Sequence, residues 1–229
     1  MSQLKNSILS LFSDPTRSWT IDEFLAIAEA YPYYFDPGTG FMYSNTNTVI
    51  AGKIIEIITS SSLEYNIRTR IMDPLHLENT VYLVGGTQIP GYHSGGYYAG
   101  EFDPTIPDLA EFFDISQASA AGAIVSDIYE LKTYAEALTK GDFLSPGLQQ
   151  KRLECHEAGN PHGMKYGMGI FGYKGFYGHN GGIFGYTSLM VNSPVRDCTI
   201  IIWYNCQLWE SDPTDLLYII PNLIYSDLN

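Results

Sequence analysis

The feature that most narrows what this chain can fold into is one change of hydrophobic rhythm, near Tyr166. Before it, apolar residues recur at helical spacing; after it, short apolar runs alternate with turn signals. Thr20-Ile21-Asp22-Glu23 is a capping box, with Thr20 as N-cap and Glu23 at N3. Ile21, Phe24, Leu25 and Ala28 follow at i, i+3, i+4 and i+7, so a helix is predicted that ends before Pro32. A second helix is predicted from about Thr46 to Thr59, with Val49, Ile50, Ile54, Ile57 and Ile58 on a buried face. A third, short one begins near Ser62 and stops before Pro74. Residues 83–108, rich in Gly, Pro and Tyr, form a long loop of the kind that often carries function. Ser126 to Lys140 is helical, with Leu131, Tyr134 and Leu138 inward and Gly141 just past the end. Ser145-Pro146 opens another helix with Pro at N1.

From Tyr166 onward three strands are predicted, Tyr166–Tyr173, Ile183–Asn192 and Thr199–Asn205, separated by turns at Lys174-Gly175 and Ser193-Pro194. The tail is a helix with Asp212 as N-cap and Leu216, Leu217 and Ile220 inward, kinked or ended by Pro221. Helices, then an antiparallel meander, then a terminal helix describe an α+β protein. A helical lobe spans about residues 20–160, and an antiparallel sheet flanked by helices spans about 166–229.

Charge and cysteine usage remove several functions. The formal net charge is -13, the opposite of a nucleic-acid footprint and unsuited to an anionic membrane surface. No apolar stretch approaches the roughly 18–20 residues of a membrane span. Cys155, Cys198 and Cys206 form no C-x-x-C pair. Cys198 and Cys206 flank an apolar run as small hydrophobes, and a disulfide is left open. His156 and His162 lie near Cys155, but nothing completes a metal set, so no metal or cofactor is expected.

Two short motifs carry a resemblance to a known family. Tyr43-Ser44-Asn45 follows Pro37-Gly38-Thr39 and precedes Thr46-Asn47-Thr48-Val49-Ile50-Ala51-Gly52; His179-Asn180-Gly181 lies among the strands. They resemble the Tyr-x-Asn and His-x-Gly motifs of the penicillin-recognising serine hydrolases, the group of class C β-lactamases, D-alanyl-D-alanine carboxypeptidases and related esterases. Pro74-Leu75-His76-Leu77-Glu78-Asn79-Thr80, Ser119-Ala120-Ala121-Gly122-Ala123-Ile124-Val125-Ser126 and Tyr166-Gly167-Met168-Gly169 are similar to further stretches of that family. All five occur in the family's order, from about Thr20 to the C-terminus.

The resemblance implies acyl-enzyme chemistry on a small-molecule or peptide substrate: a D-alanyl peptide, a β-lactam or a small ester. Tyr43 is then the general acid/base, which at neutral pH needs nearby cations to favour phenolate. Asn45 holds a lysine and the substrate amide, since it both donates and accepts. His179 supplies positive or hydrogen-bonding character, while Asn180, Gly181 and Gly182 form the substrate edge, with the Gly182 amide as an oxyanion donor. Lys174 is either a basic contact for the substrate carboxylate or a solvated turn lysine; His93 is a loop residue. The resemblance also implies an extracytoplasmic location.

One part of the family pattern is missing. Its nucleophile lies in Ser-x-x-Lys at a helix start, well upstream of Tyr-x-Asn, and here Tyr43 has 42 residues before it. Ser2-Gln3-Leu4-Lys5 fits the pattern, but lies too close to Tyr43 and is followed by no apolar helix stripe. The chain is therefore expected to be the C-terminal portion of such a domain. It would be inactive alone, its sheet having an exposed edge and an uncovered apolar face, and would pair with the missing segment or with itself. The alternative is a non-catalytic relative that binds cell-wall peptide or a protein partner.

Overall fold

The computed structural model describes residues 13–99, 108–159, 162–208 and 214–225. Helix α1 (Ile21–Glu29) starts on the capping box read from sequence: the Thr20 hydroxyl accepts from the Glu23 amide and the Glu23 carboxylate accepts from the Thr20 amide. Helix α2 (Asn45–Thr59) is capped by Ser44, whose Oγ accepts from the Thr46 amide at 3.2 Å. Helix α3 (Leu63–Ile67) is capped by Ser62 and does not stop before Pro74. It widens into a π-helical turn at Arg68–Met72 and closes with one α turn, Asp73–Leu75. Pro74 lies in the first positions of that closing turn, where a missing amide hydrogen costs little.

The 83–108 loop is not free of regular structure. Strand β2 (Tyr97–Ala99) pairs in parallel with β10 (Cys206–Leu208), while β1 (Val81–Tyr82) pairs with β3 (Ile124–Val125). Helix α4 (Ile128–Lys140) begins at Asp127, whose carboxylate accepts from the Tyr129 and Glu130 amides, and ends on Gly141 in the left-handed region. Its most buried residues are Ala135, Ala137 and Thr139, with Leu131, Tyr134 and Leu138 half-buried beside them. Helix α5 (Pro146–Leu153) starts with Pro146 in its first turn.

The main sheet has six antiparallel strands in sequence order: β4 (His156–Glu157), β5 (Lys165–Tyr166), β6 (Phe171–Tyr173), β7 (Phe176–Ile183), β8 (Tyr186–Ser193) and β9 (Cys198–Tyr204). The stretch predicted as one strand from Tyr166 is thus a short hairpin, β5 turning at Gly167–Ile170 into β6. The predicted strand from Ile183 begins at Tyr186, because Ile183 closes β7 and Phe184-Gly185 forms the turn. Strand β7, which carries His179, has too much glycine and polarity to show alternation. It is a strand because β8 supplies partners for Tyr177 through Ile183. Gly178 is required there, since a Cβ at that position would lie 1.9 Å from the Met190 carbonyl oxygen.

Side chains alternate across β8. Leu189 and Val191 join Phe171, Tyr173, Phe176 and Ile200 in a core capped by Leu217 of α6 (Thr214–Ile224). On the opposite face Asn192 meets Thr139 of α4, Oγ1 to Oδ1 at 2.5 Å, and the Asn192 amide donates to Thr199. The sheet therefore has a helix on each face. Helix α6 continues past Pro221 to Ile224, and Pro221 is buried. The predicted N-cap Asp212 lies outside the described residues.

The sheet thus lacks the uncovered apolar face expected of it, having a helix on each side; the bare apolar surface among the described residues is on α2. Of its predicted core residues only Val49 is buried, while Ile50, Ile54, Ile57 and Ile58 are exposed. The periodicity puts these residues on common faces, but among the described residues nothing covers that surface. The outer edge of β9 likewise has no paired strand among them. No helix of the described residues is long and apolar enough to cross a membrane.

Candidate active site

The two chemical motifs, 136 positions apart from Tyr43 to His179, meet at the edge of β7. Strand β6 pairs with β7 only at Phe176–Gly178, whereas β8 pairs with it as far as Ile183. From His179 to Ile183 the edge away from β8 thus has no strand partner among the described residues. Tyr43, in the extended segment just before α2, packs there, its ring centroid 5.8 Å from that of His179. Tyr166 completes the group at 5.7 Å from Tyr43, edge to face. Phe41 lies 5.5 Å from Tyr166, and Phe171 lies 5.7 Å from His179.

The hydrogen bonds of this cluster define the state of the imidazole. His179 Nδ1 lies 2.5 Å from the Asn180 carbonyl oxygen, and Nε2 lies 2.8 Å from the Tyr166 hydroxyl. A carbonyl only accepts, so Nδ1 carries the hydrogen; in the neutral ring Nε2 is then the acceptor and Tyr166 the donor. Burial, reinforced by Tyr43 and Cys155, pushes the Tyr166 phenol up to about 12. Tyr43 is 47% exposed, yet burial still pushes its phenol above the usual value, and no cation among the described residues offsets this.

The other expected residues fall as follows. Asn45 is exposed as the first residue of α2; it does not cap that helix, because Ser44 does. Asn180 faces Leu189 across the ladder, and Gly181 faces Ser188, whose Oγ would lie 2.6 Å from a Cβ at position 181. Gly182 is exposed, and a side chain there would meet only open space. The β7 edge is thus bare of side chains over two successive residues. Lys174 does not reach this edge: its ammonium donates to Asn222 of α6 at 3.1 Å and lies over the Tyr173 ring. His93 stays in its loop against the Gly91 carbonyl, and His162 stacks on Tyr218 at 4.1 Å. Among the described residues no cluster of three or more His, Cys, Asp or Glu side chains could hold a metal. Cys155, Cys198 and Cys206 are free thiols. Ser2 and Lys5 lie outside the described residues.

The sequence predicts Tyr166 as the start of a strand and the head of a family-like stretch, with no side-chain role of its own. Its hydroxyl proves to be the partner of His179. The only signal was its place at the head of Tyr166-Gly167-Met168-Gly169, directly before the strand pair that carries the second motif.

Comparison with known proteins identifies the family and the fold. A penicillin-binding protein of Bacillus subtilis is 28% identical over 69% of this chain and 38% of its own length. The D-stereospecific amidohydrolase from a Streptomyces species superposes with a TM-score of 0.79 at 27% identity, over 86% of this chain and 59% of that one. The D-amino acid amidase from Ochrobactrum anthropi gives 0.71 at 27% identity, over 91% and 65%. The chain therefore spans less than two thirds of the length of each. The beta-lactamase family model matches residues 5–221, nearly the whole chain and both halves of the site, and the chain belongs to that family of serine hydrolases.

Proposed function

We propose that this chain supplies the substrate-facing half of an acyl-transfer site, with the nucleophilic serine and its lysine on a segment outside the described residues. The observation that carries this reading is the meeting of Tyr43 with His179 beside the side-chain-free Gly181 and Gly182 of β7. A substrate backbone laid along Asn180, Gly181 and Gly182 adds a strand to the sheet, and Gly182 brings its amide within reach of a developing oxyanion. Tyr43, as phenolate, takes the proton of the serine hydroxyl as the oxygen attacks the carbonyl carbon. It returns that proton to the departing amine or alkoxide as the acyl–leaving-group bond breaks. Asn45 holds the lysine and the substrate amide.

The electrostatics give such a lysine a task. Burial alone acts on Tyr43 here and favours the neutral phenol. A lysine ammonium nearby would favour the phenolate, as an opposite charge does for any acid. The chain without that cation holds Tyr43 in its inactive protonation state. The substrates that fit are D-alanyl peptides, β-lactams, small esters and, by likeness to the amidohydrolase and amidase, amides of D-amino acids.

Intact-mass spectrometry after exposure to a fluorescent penicillin tests this. Two samples are compared: the 229-residue chain, and the same chain joined to the N-terminal segment of a family member that carries Ser-x-x-Lys. An adduct on the longer form alone is the expected result. Acylation of the short chain would move the nucleophile into these 229 residues. Failure of both to label penicillin, D-amino acid amides or esters would favour the non-catalytic reading, in which the β7 edge only binds peptide.

A further inference from the structure

The proposed reaction leaves Tyr166 without a task, although it is the side chain most tightly joined to His179. We propose that Tyr166 is a positioning residue that, together with the Asn180 carbonyl, locks His179 as the Nδ1–H tautomer with both ring nitrogens engaged inside the chain. The proposal rests on reading the β7 edge as the ligand site, because it states how His179 meets a ligand there.

The two hydrogen bonds, 2.5 Å to Asn180 and 2.8 Å from Tyr166, lie at opposite ends of one ring. Rotating the ring by half a turn would place carbon atoms against both partners, so the pair of bonds fixes orientation as well as tautomer. The surroundings hold the arrangement. The rings of Tyr43, Tyr166 and Phe171 all lie within 5.8 Å of the imidazole centroid. An unpaired Nε2 among these apolar faces would lose its water partner without gaining another. The Tyr166 phenol, pushed up to about 12, keeps its proton and remains a donor at neutral pH.

The consequence concerns specificity. With Nδ1 and Nε2 both engaged, neutral His179 offers a ligand its carbon edge and ring face rather than an N–H. Polar contacts along this edge then fall to the backbone of β7 and to the Tyr43 hydroxyl. A proton added to the ring goes to Nε2 and reverses the bond: the imidazolium donates, the Tyr166 oxygen accepts, and the phenol hydrogen becomes available to donate elsewhere.

Nitrogen-15 NMR of the histidine side chains reads the tautomer directly. The labelled 229-residue chain is measured at a pH where the ring is neutral, with His179→Gln used only to assign the resonance. The expected wild-type spectrum has Nδ1 at the protonated position and Nε2 at the unprotonated one. In Tyr166→Phe both resonances shift toward the averaged positions of exchanging tautomers, whereas Tyr43→Phe, which removes a neighbouring hydroxyl but not this bond, leaves them in place. A wild-type ring protonated on Nε2, or Tyr166→Phe shifts identical to wild type, overturns the proposal. Should the amide fingerprint show Tyr166→Phe unfolded, the wild-type tautomer alone decides. No step of this needs turnover, so failure of the acyl-transfer reading in the penicillin experiment is seen separately.

Discussion

Around β6, β7 and β8 the apolar side chains are fully withdrawn from water: Phe176, Leu189, Val191 and Leu217 are each 0% exposed. On α2, with an equally apolar sequence, Ile57 and Ile58 are 68% and 77% exposed. Both regions obey their own periodicity. The difference is in what lies opposite. The sheet core has α6 to close it, and each strand pairs with the strand next to it in sequence. Helix α2 has α1, α3 and the Ser119–Ala121 turn beside it on its inner side, and no cover on the other among the described residues. The lesson is that half of the site is built on a self-sufficient frame. The other half, which presents Tyr43 and Asn45, hangs on a helix whose packing is incomplete among the described residues.

The largest effect is expected at the sheet core. Phe176→Ala removes a fully buried aromatic between the sheet and α6, and is expected to destabilise the chain by about 3–5 kcal/mol in chemical denaturation. If the loss were nearer that of a surface change, the sheet core would not be the stable unit described. Gly178→Ala places a Cβ against the Met190 carbonyl and should cost about 1–3 kcal/mol by overpacking. It should also shift the backbone resonances of His179, its neighbour on the strand.

A smaller effect sits at the start of α4, which buttresses the sheet. The Glu130 amide lowers the Asp127 carboxyl below its usual value, burial opposes this, and Asn79 and the Tyr129 amide add to the lowering. A depressed folded pKa means stabilisation that is fully present above the unfolded value, about 3.9, and lost as pH falls through the folded one. Asp127→Asn keeps a good N-cap and should flatten this acid-side dependence while leaving stability at pH 7 nearly unchanged. Thermal melts between pH 2 and 6, taken as an order-of-magnitude window around the carboxylate range, decide it. A wild type already flat there would show that the cap bonds contribute nothing.

The smallest change in stability is expected on α2. Ile57→Ser with Ile58→Ser touches exposed side chains, and each should alter unfolding free energy by no more than about 0.5 kcal/mol. The same double change should lower concentration-dependent self-association in sedimentation velocity, because it removes the centre of a bare apolar patch. A large loss of stability would mean that this face is covered after all.

Local chemistry made much of this legible in advance. The Thr20–Glu23 capping box, the Ser62 cap, the Gly141 stop and Pro146 at a helix start depend only on residues within one turn of each other. The Lys174-Gly175 turn, where both residues have positive φ, is equally local. The pairing of motifs at Tyr43 and His179 was legible as a resemblance. The strand status of β7 was not, because its glycine-rich run has no alternation of its own and acquires strand geometry from β8. The pairing of β2 with β10 was hidden too, since it joins segments more than a hundred residues apart.

By itself, then, the sequence determined where helices start, where turns fall, which residues share a face, and which family's chemistry the motifs belong to. Those properties follow from side chains acting on their own stretch of backbone. It took the folded molecule to bring Tyr166 onto Nε2 of His179 and to turn the isoleucines of α2 outward. Periodicity says which residues point the same way. Whether anything lies on that side to receive them is a property of the assembled molecule.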